Sequence, residues 1–145
     1  MNEALLIYER YKSLYENASI LVPRRTPEER KKNHAISIYK SIQEYMKNGS
    51  KGDLDLYGTP ITSLPEGLTV GGNLDLYGTP ITSLPEGLEV GGSLNLRNTP
   101  ITSLPEGLKV GGALDLHGTP ISRMLYGKTT TELKELFPNV YKINS

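Results

Sequence analysis

GNLDLYGTPITSLPEGLEVG, residues Gly72–Gly91, follows GDLDLYGTPITSLPEGLTVG at Gly52–Gly71 and precedes GSLNLRNTPITSLPEGLKVG at Gly92–Gly111. A fourth copy begins at Gly112 and decays by Gly127. Self-similarity at a fixed period is the signature of a solenoid, in which each copy buries its apolar face only by stacking on the next. Leu54 and Leu56, with their equivalents Leu74/Leu76, Leu94/Leu96 and Leu114/Leu116, alternate with polar residues. That alternation predicts a short strand with one buried face. Ile61/Ile81/Ile101/Ile121, Leu64/Leu84/Leu104, Leu68/Leu88/Leu108 and Val70/Val90/Val110 must then point inward from the rest of each coil.

A helix cannot occupy the return path of these copies. Thr-Pro, Leu-Pro and Gly-Gly interrupt every window long enough to hold one, because proline lacks a donor and forces its predecessor into extended geometry. The return is predicted to be extended, with Gly67/Gly87/Gly107 and the Gly-Gly pairs supplying tight bends. Stacking at about 4.8 Å makes four coils a ridge only about 15–20 Å long.

The segment Leu74-Asp75-Leu76-Tyr77-Gly78-Thr79-Pro80-Ile81-Thr82-Ser83-Leu84-Pro85 resembles the L-x-L-x-x-N-x-L-x-x-L-P core of bacterial leucine-rich repeats. The twenty-residue period is that of the short repeats in secreted bacterial effectors, and the rows are also similar to those of small phage and bacterial proteins. The resemblance covers residues 52–121 and departs from the family twice. Thr59/Thr79/Thr99/Thr119 stand where the family has an asparagine ladder, and a hydroxyl bonds neighbouring backbone less completely than an amide. The Gly-Gly pair should tighten or flatten the turn into the next strand.

The open ends of a solenoid need covering. Ala4, Ile7/Tyr8, Tyr11 and Leu14/Tyr15 predict an amphipathic helix over 2–17. Thr26-Pro27-Glu28-Glu29 is a capping box with proline at the first helical position. The helix it opens runs to about Lys47, with Ala35, Ile38/Tyr39, Ile42 and Tyr45/Met46 on its apolar face, and Asn48-Gly49 ends it. At the far end Thr131–Leu136 reads as a short helix presenting Leu133, Leu136 and Phe137 to the last coil, stopped by Pro138. The expected architecture is thus an α+β repeat: a parallel β-solenoid of about four coils over 51–127, a helical hairpin cap over 1–50, and a short helical cap over 128–145.

Strand alternation puts the residues between the leucines on the concave face. They form the columns Asp53/Asn73/Ser93/Ala113, Asp55/Asp75/Asn95/Asp115 and Tyr57/Tyr77/Arg97/His117. The resemblance implies that partners bind there. An acidic stripe beside two tyrosines favours a protein target with a basic or polar surface, since tyrosine and arginine are frequent interface anchors. Equally, aspartate is tolerated on any solvated strand face of duplicated repeats. Glu66/Glu86/Glu106 and Thr69/Glu89/Lys109 read as solubilising.

The chain carries no cysteine and no net charge. That excludes disulfides, thiolate metal sites and a cysteine nucleophile, and gives bulk electrostatics no reason to favour nucleic acid or an anionic membrane. Residues 1–50 hold 9 Lys/Arg against 6 Asp/Glu, residues 51–145 hold 7 against 10. The basic run Arg24, Arg25, Arg30, Lys31 and Lys32 straddles the start of the second helix. It is shorter than a nucleic-acid patch, and a solvated helix face is the simpler explanation.

His34 and His117, the only histidines, lie far apart in sequence, and no phosphate loop, catalytic triad or zinc motif appears. Gly-Gly-x-Leu-Asp-Leu lacks the period and middle glycine of a calcium-binding β-roll. Some effector relatives carry a cysteine-dependent ubiquitin ligase domain, for which this chain has neither length nor cysteine. No cofactor, metal or catalytic residue is expected.

Three functions and one assembly follow as expectations. The first is a protein-interaction module; the resemblance narrows it to a phage-type inhibitor of a host defence protein. The others are an ice- or surface-binding solenoid built on the threonine columns, a nucleic-acid binder using the basic helix, and a homodimer formed through the helical cap. No apolar run approaches the roughly 20 residues a membrane span needs, and the first residues lack the layout of a secretory signal. The expected address is the cytoplasm, the host's if the protein is phage-encoded.

Overall fold

The computed structural model describes residues 26–145. The helix read over 2–17, and with it the hairpin, lies outside the described residues, as do Arg24 and Arg25.

From Gly52 onward the chain is a parallel β-solenoid of about three turns. Its main ladder stacks β1 (Leu54–Asp55), β3 (Leu74–Asp75), β5 (Leu94–Asn95) and the last part of β6 (Lys109–Asp115), leucine over leucine in steps of twenty residues. A second ladder stacks β2 (Thr69–Val70), β4 (Glu89–Val90) and the start of β6, valine over valine. The leucine, isoleucine and valine columns predicted to point inward are buried from the first coil to the last, save a half-buried Leu104, with Ile61, Ile81 and Ile101 wholly excluded from solvent. Fully burying one such side chain stabilises the fold by about 1.5–3 kcal/mol, so the columns outweigh any single surface feature.

The Gly-Gly pairs Gly71–Gly72 and Gly91–Gly92 bend the chain as expected, but close packing also demands them. Gly67, Gly87 and Gly107 have φ of +72°, +67° and +72° and do turn the chain. Gly91 and Gly111 have no positive φ; instead each lies against the coil before it. A Cβ on Gly91 would meet the carbonyl oxygen of Gly71 at 2.4 Å, and one on Gly111 would meet that of Gly91 at 2.3 Å. In β6 the pair runs straight through as extended strand. These glycines are required by the approach of backbone to backbone.

Thr59, Thr79, Thr99 and Thr119 form no inter-coil ladder. Each hydroxyl donates to the carbonyl three residues earlier, from Leu56, Leu76, Leu96 and Leu116, and the same residue's N–H donates to that carbonyl too. Each threonine closes its own turn, in which position 58, 78, 98 or 118 has positive φ. Asn98 fills that position at φ +55°, asparagine being the residue after glycine that tolerates it best.

Helix α1 (Pro27–Lys47) has the predicted capping box: Thr26 Oγ1 accepts the Glu29 N–H and Glu29 Oε2 accepts the Thr26 N–H. Ile42 is fully buried against the first coil, with Ile38, Tyr45 and Met46 packed beside it. Tyr45 also completes the backbone bonding of the solenoid's first edge. Its hydroxyl donates to the Gly52 carbonyl at 2.8 Å and accepts the Gly71 N–H at 3.3 Å.

The expected cap helix is present, but the last coil also gains a helix of its own and a strand. Leu125 stands where the earlier copies have Pro65, Pro85 and Pro105; without that proline the return path becomes helix α2 (Pro120–Leu125), capped by Thr119. Helix α3 (Thr130–Leu136) follows, with its own capping box from Thr129 and Glu132. Leu133 and Phe137 pack on the core as predicted, but Leu136 does not and is 52% exposed. After Pro138 the chain then adds a strand, β7 (Val140–Asn144), parallel to β6. Val140 stacks on Val110 and Ile143 on Leu114, so β7 extends both ladders at a spacing of 29–30 residues, with a shift where Tyr141 replaces the glycine pair. Among the described residues no helix is long and apolar enough to cross a membrane.

Candidate functional site

The face read from sequence as the binding surface is the outer side of the ladder β1-β3-β5-β6-β7. It is one strand wider than the repeats alone predict. Lys142 lies in register with Ala113 and Asn144 with Asp115, so the first column reads Asp53, Asn73, Ser93, Ala113, Lys142 and the second Asp55, Asp75, Asn95, Asp115, Asn144.

Both columns have structural work. In the first, Asp53 Oδ1 accepts the Asn73 N–H at 2.7 Å and the Asn73 side-chain amide at 3.2 Å. Asn73 Oδ1 accepts the Ser93 N–H at 2.7 Å, and Ser93 Oγ accepts the Ala113 N–H at 3.1 Å. An inter-coil polar ladder therefore exists, displaced from the threonine position to this column. The need for it is visible in the backbone: the Gly52 carbonyl takes the Gly72 N–H, and the next N–H, of Asn73, is bonded by the Asp53 side chain.

In the second column, Asp55, Asp75, Asn95 and Asp115 each accept through Oδ1 the N–H two residues ahead, from Tyr57, Tyr77, Arg97 and His117, at 2.9–3.2 Å. Such side chains hold the strand end in its turn. The Asp column is thus partly explained by local folding, and Asn95 performs the same task without charge.

What remains after these bonds is unequal along the face. At the far end Asp115 faces the imidazole of His117, Nδ1 at 2.6 Å from Oδ1, and the guanidinium of Arg97, Nη1 at 3.9 Å from Oδ2. At the near end Asp53, Asp55 and Asp75 have no cationic partner among the described residues. Beside them Tyr57 and Tyr77 stack, and Tyr57 is 62% exposed. Asn98 donates from Nδ2 to the Tyr77 hydroxyl at 2.9 Å, steadying the second ring from the coil above. The face therefore runs from an uncompensated acidic, aromatic end to one carrying Arg97, His117 and Lys142.

The remaining candidates lie elsewhere. Arg30, Lys31 and Lys32 are exposed in the first turns of α1, on the far side of Glu28 and Glu29 in the chain. His34 is exposed on the same helix. Glu89 and Lys109 pair along the second ladder. No group of three or more potential metal ligands converges among the described residues. Sequence reasoning missed Lys142 and Asn144, because β7 shares none of the repeated text.

The class defined by fold and face is a parallel β-solenoid with an exposed polar and aromatic sheet face. No family model, curated protein or solved structure matches the chain.

Proposed function

We propose that the protein is a binding module of the leucine-rich-repeat type that engages a protein partner through the outer face of its main ladder. The observation that carries this is the near end of that face. Three carboxylates without a cationic partner among the described residues sit beside a tyrosine pair of which Tyr57 is exposed, on a scaffold whose own bonds use only one oxygen of each carboxylate. Unpaired like charges at strand spacing cost stability. A basic partner surface would offset that cost, and tyrosine supplies rigid contact area. Resemblance to phage and bacterial repeat proteins supports a narrower form: a cytoplasmic inhibitor that occupies a host defence protein, in the host's cytoplasm if the protein is phage-encoded.

The ice-binding alternative loses one of its two threonine columns, since Thr79, Thr99 and Thr119 are at most 2% exposed. Of the basic run behind the nucleic-acid alternative, the described residues hold Arg30, Lys31 and Lys32, next to Glu28 and Glu29.

The test uses a substitution the chain itself performs. Asn73 and Asn95 occupy aspartate positions while keeping the acceptor oxygen. Asp53→Asn, Asp55→Asn and Asp75→Asn combined should preserve the fold and remove only charge. A partner captured from host lysate by the wild type should bind this variant at least about tenfold more weakly. The proposal fails if the partner binds both equally, or if no saturable protein partner is captured.

A further inference from the structure

Among the described residues, five large apolar side chains are exposed. One, Tyr57, belongs to the face already described; the other four, Met124, Tyr126, Leu136 and Tyr141, all lie in the last coil or its cap. Of these four, Tyr141 stands on the terminal strand β7.

The backbone at that end is also open. β7 pairs with β6 and with no further strand. In the stacked coils the bonding alternates. The carbonyls of Asn73 and Asp75 accept from the coil below, from Leu54 and Leu56, while the N–H of Leu74 donates to Ser93 in the coil above. β7 keeps this alternation, because the Asn144 carbonyl accepts the Leu116 N–H at 2.8 Å. Ile143, in register with Leu114, is then the residue whose backbone faces the position of a next strand. At the opposite end β1 is likewise a terminal strand, but Tyr45 of α1 lies beside it, bonding Gly52 and Gly71.

Alongside the open edge runs a groove between α3 and β7, lined by Leu133 and Lys134 on one side and Val140 to Ile143 on the other. Its charged lining is Lys134 and Lys142, with no acid among its lining residues, and neither lysine has an acidic partner among the described residues.

We infer that the β7 edge is a second binding site, adjoining the far end of the sheet face and sharing Lys142 with it, which takes an extended acidic segment of a partner protein as an additional strand. Main-chain bonds to β7 give such a site its affinity, and the alternating side chains of the added strand give it specificity. Acidic side chains of the segment meet Lys134 and Lys142, and apolar ones lie against Leu133, Tyr141 and Ile143. A second copy of this chain fits less well, because it brings one lysine-lined groove against another.

Panning a displayed library of random short peptides against the full chain tests this directly. Enriched peptides should alternate acidic with apolar residues, and their binding should slow exchange of the Ile143 amide. Lys134→Glu with Lys142→Glu should weaken them by at least about tenfold, while Lys47→Glu with Lys51→Glu, a charge-matched change at the other end, should not. Failure to enrich any peptide, enriched peptides indifferent to the Lys134/Lys142 pair, or a dimer in which the Ile143 amide is protected by a second copy would each overturn the inference.

Discussion

The rings of Tyr57 and Tyr77 stack with centroids 5.1 Å apart and planes 18° from parallel. The two residues are twenty positions apart, and their separation is close to the strand spacing of about 4.8 Å. Their contact is a direct consequence of parallel in-register coiling, which places every residue of one copy beneath its counterpart in the next. An aromatic pair of this kind contributes about 0.5–1.5 kcal/mol beyond its buried area. The same coiling concentrates whatever a column carries, apolar or charged.

The displaced polar ladder predicts an asymmetry at Asn73. Asn73→Ala strips the acceptor from the Ser93 N–H and the donor from Asp53, and should cost about 1–3 kcal/mol in urea unfolding. Asn73→Ser should recover part of that, because Ser93 bonds Ala113 in the next step of the same column. Equal losses for the two variants would show that the ladder does not matter.

Glycine positions divide into two kinds with different costs. Gly87→Ala places a Cβ in open space on a backbone of φ +67°, and should cost about 1–2 kcal/mol from left-handed strain. Gly111→Ala drives a Cβ to within 2.3 Å of a backbone oxygen in the neighbouring coil. Neither backbone can yield without shifting a whole turn, so its loss should exceed that of Gly87→Ala. Thermal unfolding of the two single variants ranks them.

Tyr45→Phe removes a hydroxyl that both donates to Gly52 and accepts from Gly71. The expected loss is about 1–2 kcal/mol, and it should be felt locally. The Gly71 N–H keeps its 2.8 Å bond to the Ser50 carbonyl, so any acceleration of amide exchange should be small and confined to the first coil, with Gly111 unchanged, since solenoid coils contact only their neighbours.

Much of this was legible in the repeat itself. Identical leucines at a twenty-residue spacing, with prolines barring a helix, leave stacked strands as the one way to bury Leu54, Leu56 and Ile61 together. What the text could not disclose depends on distances between coils. The Gly-Gly pairs read as turn residues, and only the coil beneath them shows that close packing demands them too. Asp55 reads as a ligand-seeking carboxylate, yet half of it is spent on the N–H of Tyr57. β7 escaped detection for a different reason: Val140-Tyr141-Lys142-Ile143-Asn144 stacks at 29–30 residues, where no periodicity points to it. The replacement of proline by Leu125 was visible, but its effect, a helix in the return path, follows only once Thr119 is seen capping it.

Acidification offers a local check at the C-terminal cap. The backbone N–H of Thr129, and then its hydroxyl, hold the Glu132 carboxyl below the ordinary carboxylate range. A depressed folded value means that the stabilisation is present above the unfolded value and is lost as pH falls through the folded one. The α3 amides should therefore shift at a lower pH than those near an unbonded glutamate, and Thr129→Val, which removes the hydroxyl but keeps the backbone N–H, should narrow that difference without abolishing it.

Recognition through the tyrosine pair stands or falls on one comparison: the affinity of a captured partner for the wild type and for Tyr57→Ser with Tyr77→Ser, measured by calorimetry on variants of confirmed fold. Tyr57 is largely solvent-exposed, so the double variant should lose no more than about 1–2 kcal/mol of stability. Its affinity should fall at least about tenfold. Unaltered affinity on an intact solenoid would contradict the account and place binding elsewhere on the molecule.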